Sequence, residues 1–279
     1  MRHLVAVLAA LVLSVSAAPA FAAPAAPVRA ELDFTGAVSL QGCSGAVVRP
    51  PEHRPSDPAL VMTNGHCVKF MEPEEVMVDV PADRKFTLLD RSGESSLATL
   101  RASTLVYATM HRTDVALYKL TSTYGELEAL GGRAMELSAE HPAEGIDIGV
   151  VSGYWRQVYS CRSDGYVHQL REGRWTWLGS MRYTADCRTR GGTSGSPVVD
   201  VATGKVVAVN NTGNEDGERC TDNNPCEVDE NGEVTVRQGI GYAQQTHQIV
   251  PCLTGDGRVD LTAPGCGLPR PAAWRRSPH

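Results

Sequence analysis

Gly191-Gly192-Thr193-Ser194-Gly195-Ser196-Pro197-Val198-Val199 sets a serine in a glycine-rich turn that runs directly into an apolar strand. A nucleophilic serine needs an exposed hydroxyl and, beside it, backbone N–H groups aimed where an oxyanion develops. Glycine reaches the positive-φ conformations that turn such N–H groups inward. An ordinary Gly/Ser hairpin turn has the same composition, so this stretch alone leaves both readings open. It is not the strand-to-helix elbow of the α/β hydrolases, because G-x-S-x-G centred on Ser194 requires glycine at 196, where Ser196 stands.

Upstream, two further segments carry chemistry. Val61-Met62-Thr63-Asn64-Gly65-His66-Cys67-Val68 ends an apolar run on a histidine followed at once by a cysteine. A general base must be held in one rotamer, and a disulfide at the next residue fixes its backbone. Thr113-Asp114-Val115-Ala116-Leu117-Tyr118 opens an apolar strand on an acid, the placement of a part-buried carboxylate that orients an imidazole and stabilises the imidazolium. Taken singly, His66 reads as readily as a packed histidine and Asp114 as a strand-start residue. Together they stand in the chain order His, Asp, Ser, which differs from the subtilisin and α/β-hydrolase orders.

With these three segments the chain resembles the trypsin-like, chymotrypsin-fold serine proteases of the secreted bacterial type. The family's Ala-Ala-His-Cys type sequence is matched by Asn64-Gly65-His66-Cys67, its Asp-Ile-Ala-Leu strand by Asp114-Val115-Ala116-Leu117, and its Gly-x-Ser-Gly-x-Pro loop by Gly192-Thr193-Ser194-Gly195-Ser196-Pro197. The resemblance runs from about Leu32 to Val250. It implies His66 as general base and later general acid, Asp114 as its orienter, Ser194 as nucleophile and the N–H groups of Gly192 and Ser194 as oxyanion hole. Ser196 is the rival nucleophile. His111, three residues before Asp114, reads as a surface residue at a strand entrance.

The fold the resemblance implies is all-β: two six-stranded antiparallel barrels with the catalytic site in the cleft between them. The residues agree with that texture. Short apolar runs at Ala46 to Val48, Leu60 to Met62, Val76 to Val80, Leu105 to Tyr107 and Val115 to Leu120 are strand lengths broken by Gly, Pro, Asp and Ser. The texture returns at Ile148 to Val151, Val158 to Tyr159, Trp175 to Leu178, Met181 to Tyr183, Pro197 to Val201, Val206 to Val209 and Ile240 to Ala243. Ser122 to His141 is the least strand-like stretch and the expected crossover. The expected units are a signal peptide over 1–22, an N-terminal barrel over 23–135, a C-terminal barrel over 136–255 and a tail over 256–279, whose Arg270, Arg275 and Arg276 read as solvated.

The signal peptide is read from Arg2 and His3 before an apolar run from Leu4 to Leu13 and the small-x-small pattern Ala20-Phe21-Ala22. The run is shorter than the roughly 18 to 20 apolar residues that cross a bilayer. The mature chain, beginning near Ala23, is therefore expected outside the cell, with no membrane anchor. In that compartment eight cysteines, Cys43, Cys67, Cys161, Cys187, Cys220, Cys226, Cys252 and Cys266, read as four bridges. Zinc is the poorer use, since no C-x2-C pair exists and only Cys67 has a histidine close by. Eight cysteines allow roughly a hundred pairings. The family resemblance implies Cys43 with Cys67 across the histidine loop, a closure worth about 3 to 3.5 kcal/mol in the chain-entropy picture. Cys161 with Cys187, Cys220 with Cys226 and Cys252 with Cys266 are nearest-neighbour pairings; Cys187 with Cys220 is the alternative.

The chain also departs from the family. Mammalian members carry an aspartate before the nucleophile that pairs with a freshly cut N-terminus; here Thr193 stands there, so activity is expected to be independent of that ion pair. Arg188 occupies the position that in the family lies at the base of the primary pocket. Turned inward it selects an acidic side chain; in a shifted register it lies in solvent. Val206 to Val209 with Asn210, Asn211 and Thr212 is expected to form the pocket wall and pair with substrate backbone, and Gly239 to Tyr242, with Gly241, the opposite wall. Asn214 to Glu233 is an acid-rich insertion that restricts or steers substrates, and its charge argues equally for a basic preference.

Within that insertion Asp229-Glu230-Asn231-Gly232-Glu233 offers oxygen ligands for calcium without the full EF-hand pattern, and a solvated loop is the plainer reading. Otherwise no cofactor or metal is expected. The 279 residues carry a formal net charge of -6 and no long Lys/Arg block, which removes nucleic acid and anionic membranes as partners. A monomer acting on proteins or peptides is expected: a serine endopeptidase working through an acyl-enzyme. The alternatives are an idle protease-fold binding protein and an esterase-like serine hydrolase.

Overall fold

The computed structural model describes residues 31–272. The expected signal peptide, and Arg275 and Arg276, lie outside the described residues. The first sheet holds β1 (Ala37–Leu40), β2 (Cys43–Arg49), β3 (Pro58–Thr63), β4 (Val76–Pro81), β5 (Lys85–Leu89), β6 (Ser96–Thr109), β7 (Val115–Thr123) and β8 (Met135–Glu136). Its path β1-β5-β6-β7-β3-β2 closes through β1–β2 pairing into an antiparallel barrel of six strands, with β4 on β6 and β8 parallel to β2.

The second sheet holds β9 (Asp147–Ser152), β10 (Gln157–Glu172), β11 (Trp175–Tyr183), β12 (Pro197–Asp200), β13 (Val206–Gly213), β14 (Cys226–Val228), β15 (Val234–Val236) and β16 (Gly241–Gln245). Here β11-β16-β13-β12-β9-β10 closes through β10–β11 pairing, and the β14–β15 hairpin extends β10. The two six-stranded rings are the expected two-barrel fold.

Burial along the strands explains the division. β10 alternates, with Tyr159, Cys161 and Val167 turned in and exposed residues between them, as a strand with one wet face does. β2 and β7 are buried on both faces. Val47, Ala116, Tyr118 and Leu120 fill the first barrel, while Ala46, Val48, Val115 and Leu117 join Val151, Val199, Val206 and Val209 in an apolar layer shared with the second. That layer fixes one barrel against the other. The crossover stretch forms α1 (Tyr124–Ala129), capped by Thr123 and Glu126 in a reciprocal box, and β8.

Several elements differ from expectation. Trp175–Tyr183 is one strand, because Leu178 and Ser180, on either side of Gly179, both pair with β10. β1, β5, β14 and β15 have no counterpart among the apolar runs, being short or half-polar and ordered by their neighbours. Over 256–272 the segment expected as a tail is packed: Val259, Leu261 and Leu268 are buried in the shared layer, and Tyr107 Oη donates to the Pro269 carbonyl at 2.9 Å. The bridges are Cys43–Cys67, Cys161–Cys187, Cys220–Cys226 and Cys252–Cys266, which leaves the Cys187–Cys220 alternative unformed.

Candidate active site

Asp114 immediately precedes β7 and has no exposure, held under the cleft by the apolar strand it leads into. Its Oδ2 lies 2.7 Å from His66 Nδ1, and its Oδ1 accepts the His66 backbone N–H at 3.1 Å. A buried carboxylate accepting at Nδ1 fixes the tautomer that leaves Nε2 free to take a proton. The Asn64 carboxamide donates to the Asp114 carbonyl at 2.8 Å, so the histidine segment and the aspartate strand are joined twice more beside the ring contact. The Cys43–Cys67 bridge holds the residue after His66.

His66 is subject to opposed influences. Burial disfavours its charged form, but the Asp114 charge and hydrogen bond, with a smaller contribution from Glu172, outweigh burial and hold the imidazole above its ordinary value of 6.5.

Ser194 lies in the loop before β12, with glycines on either side of it at positive φ, Gly192 at 91° and Gly195 at 82°. A side chain at 195 would drive into the Ser44 carbonyl and the Thr63 hydroxyl, 2.1 and 2.2 Å away. The loop is fixed peptide by peptide. Trp155 Nε1 donates to the Gly191 carbonyl at 2.8 Å, and in a trans peptide this turns the Gly192 N–H to the opposite side. The Ser44 hydroxyl donates to the Gly192 carbonyl at 3.0 Å, and the Thr193 N–H donates to the Arg190 carbonyl at 3.0 Å. Among the described residues, the N–H groups of Gly192 and Ser194 have no acceptor.

Thr193 is buried in a neutral network. Its hydroxyl donates to the Arg190 carbonyl at 2.6 Å, and Asn210 Nδ2 donates to both its carbonyl and its hydroxyl at 3.1 Å. Tyr183 Oη in turn donates to Asn210 Oδ1 at 3.1 Å.

Ser194 and His66 line one cleft, and the Ser194 hydroxyl donates to the Asn211 carbonyl at 3.3 Å. Among the described residues no hydrogen bond joins it to His66. Ser196, the rival, is fully buried. His111 is half-buried rather than on the surface, its Nδ1 3.0 Å from the Pro73 carbonyl.

Asn210, Asn211, Thr212 and Gly241 line the cleft; Arg188 does not. Cys187 is tied to Cys161, and Arg188 and Thr189 donate to the Asp186 and Cys187 carbonyls in a tight turn. That turn leaves Arg188 exposed above a shallow depression with Gln157 and Asp186, and brings Thr189 into the cleft against Gly241.

The acid-rich insertion is ordered. Asn214 Nδ2 donates to the Glu218 and Pro225 carbonyls, both at 2.9 Å, and the fold of this loop delivers Glu215, Asp222 and Asn223 to the cleft wall. At the β14–β15 tip Asp229 Oδ1 accepts the amides of Asn231 and Glu233 at 2.9 and 2.8 Å, so this carboxylate closes its own turn.

Sequence reasoning passed over Ser44, Asn64, Phe70, Trp155 and Glu172. Only Trp155, an aromatic flanked by Gly153, Tyr154 and Arg156, carried any local signal. Phe70 is exposed and stacks on His66 at 6.4 Å between ring centres, and Trp175 lies 5.9 Å beyond it. Trp175 and Trp177 donate their indole N–H groups across the cleft to the carbonyls of Met71 and Met110, at 2.9 and 3.1 Å.

The family described as trypsin-like peptidase domain matches residues 43–209. No curated protein matches the chain. Similar solved structures include the MamO protease domain from Magnetospirillum magneticum, with 15% identity, a TM-score of 0.48, and coverage of 79% of this chain and 97% of that one. A Glu endopeptidase follows with 15% identity, a TM-score of 0.44, and coverage of 76% and 85%. Nocardiopsis protease has 13% identity, a TM-score of 0.43, and coverage of 77% and 93%.

Proposed function

Because the chain belongs to the trypsin-like peptidase family, we propose that it is a secreted serine endopeptidase in which Ser194, His66 and Asp114 form the catalytic set. The observation that carries this reading is the 2.7 Å contact of His66 Nδ1 with the fully buried Asp114, on the wall of the cleft that Ser194 also lines. In this mechanism Ser194 Oγ turns from the Asn211 carbonyl to His66 Nε2 and gives up its proton as it attacks the scissile carbonyl. Asp114 stabilises the resulting imidazolium. The N–H groups of Gly192 and Ser194, already oriented and without acceptors, receive the oxyanion. The imidazolium protonates the leaving amine, and a water activated by the same histidine hydrolyses the acyl-enzyme.

Four disulfides support a site of action outside the cell, and among the described residues no helix is long and apolar enough to cross a membrane. Intact mass of the exported protein before and after a fluorophosphonate tests both halves of the proposal. The expected result is a chain beginning near Ala23 that gains one adduct, with no adduct in Ser194→Ala.

A second reading has one observation in its favour, the Ser194 hydroxyl bonded to Asn211 rather than to His66. If the wild-type chain gains no adduct, the idle binding protein takes the place of the enzyme.

A further inference from the structure

Glu172, at the end of β10, lines the cleft with one carboxylate oxygen satisfied and the other not. Oε1 accepts the Asn223 backbone N–H at 2.9 Å, while Oε2 is buried without a partner. A buried carboxylate oxygen left unpaired costs free energy until a donor reaches it, and a cationic donor returns the most.

The surroundings indicate which donor. Glu215 and Asp222 line the same cleft, whereas its one fixed cation among the described residues, Arg190, is stacked 3.7 Å over the Trp155 ring. Phe70 lines the cleft with Trp175, which pairs with Glu172 across the β10–β11 turn and already carries the Arg174 guanidinium 5.5 Å from its ring, an aromatic wall suited to the apolar stem and the charge of a long basic side chain. Burial holds the Glu172 carboxyl above its ordinary value; the Thr212 side chain lies close enough to pull it down without making a hydrogen bond to Oε2, and the Asn223 amide and His66 pull in the same direction.

From these contacts we infer that Glu172, with the Phe70 and Trp175 faces, forms a subsite for a Lys or Arg side chain of the substrate. The inference rests on the peptidase reading only for its place along the substrate. A peptide paired antiparallel with Asn211–Gly213 runs toward its own N-terminus as β13 runs toward Gly213. Glu172, beside Thr212 and Asn223, then faces a residue upstream of the one held between Thr189 and Gly241 at the scissile bond. Arg188 plays no part, since it lies outside the cleft.

Binding separates this subsite from catalysis. In the Ser194→Ala chain, fluorescence anisotropy is measured for labelled peptides of one sequence that carry arginine, citrulline or glutamate at each upstream position in turn. At one position arginine is expected to bind about tenfold more tightly than citrulline, with glutamate weakest. Equal binding of arginine and citrulline at every position overturns the inference without any Glu172 variant. Adding Glu172→Gln is expected to bring the arginine-to-citrulline ratio to about one; an unchanged ratio also overturns it. Fluorophosphonate labelling of the wild-type chain is scored separately. Arginine selectivity on a chain that takes no label keeps the subsite and removes the enzyme, while labelling without selectivity does the reverse.

Discussion

The two rims of the cleft are built from opposite materials. Around the nucleophile loop the side-chain hydrogen bonds that fix it are neutral: Ser44 and Trp155 hold the Gly192 and Gly191 carbonyls, and Tyr183, Asn210 and Thr193 form a buried chain beneath Ser194. Across from it Glu172, Glu215 and Asp222 present carboxylates to the same space. Neutral hydrogen bonds in a dry site hold geometry with little response to salt, whereas a charged wall acts at longer range and is screened. On the proposed function, the difference gives positioning to one rim and substrate choice to the other.

The largest effects test the chemistry that both rims serve. Ser194→Ala or His66→Ala is expected to lower kcat by about a millionfold, and Asp114→Asn by about ten-thousandfold through the wrong tautomer, measured by peptide hydrolysis.

On the neutral rim, Asn210→Ala is expected to cost about a hundredfold in kcat with KM within about twofold, because it loosens the loop that presents the oxyanion donors. Asn210→Asp has the same shape but puts a charge beside Thr193, and is expected to keep a smaller share of the wild-type kcat at pH 8 than at pH 5, each compared at the same pH. A rise in KM with kcat unchanged would move Asn210 to the binding rim and break the division.

On the acidic rim, raising salt from about 0.05 to about 0.5 M is expected to cut kcat/KM severalfold for a peptide with upstream arginine and to leave the citrulline peptide within about twofold. Equal salt sensitivity of both peptides would show that the acidic rim does not discriminate between substrates.

The smallest effect joins the rims. The rate is expected to rise with pH as His66 loses its proton, with a midpoint above 6.5 because the folded environment favours the imidazolium. Glu172 contributes to that preference, so Glu172→Gln is expected to move the midpoint down by a few tenths of a pH unit. An upward movement in the pH–rate profile would contradict the electrostatic coupling.

Much of this site could be read directly from the chain. His66, Asp114 and Ser194 lie in segments whose local chemistry is distinctive: a Cys after the His, an acid opening an apolar strand, glycines around a serine. Asn210, Asn211, Thr212 and Gly241 followed from where the family resemblance puts the pocket walls. Arg188 did not, because a turn of a few residues pinned by Cys187 decides which of two neighbours faces the cleft, and no periodicity spans so short a segment. Ser44, Asn64 and Glu172 are silent in sequence for another reason. Each acts only through partners that are distant along the chain, Ser44 on Gly192, Asn64 on Asp114 and Glu172 against Asn223.

The sequence by itself determined the family, the β texture and the three residues proposed for the chemistry, since each rests on residue types within a few positions of one another. Tertiary structure decided the rest. The closure of two six-stranded rings, the packing of 256–272 into the layer they share and the conversion of an acid-rich insertion into a cleft wall all depend on contacts between remote segments. Such contacts follow from how buried surfaces and hydrogen bonds are satisfied together in three dimensions, which no local pattern of residues specifies.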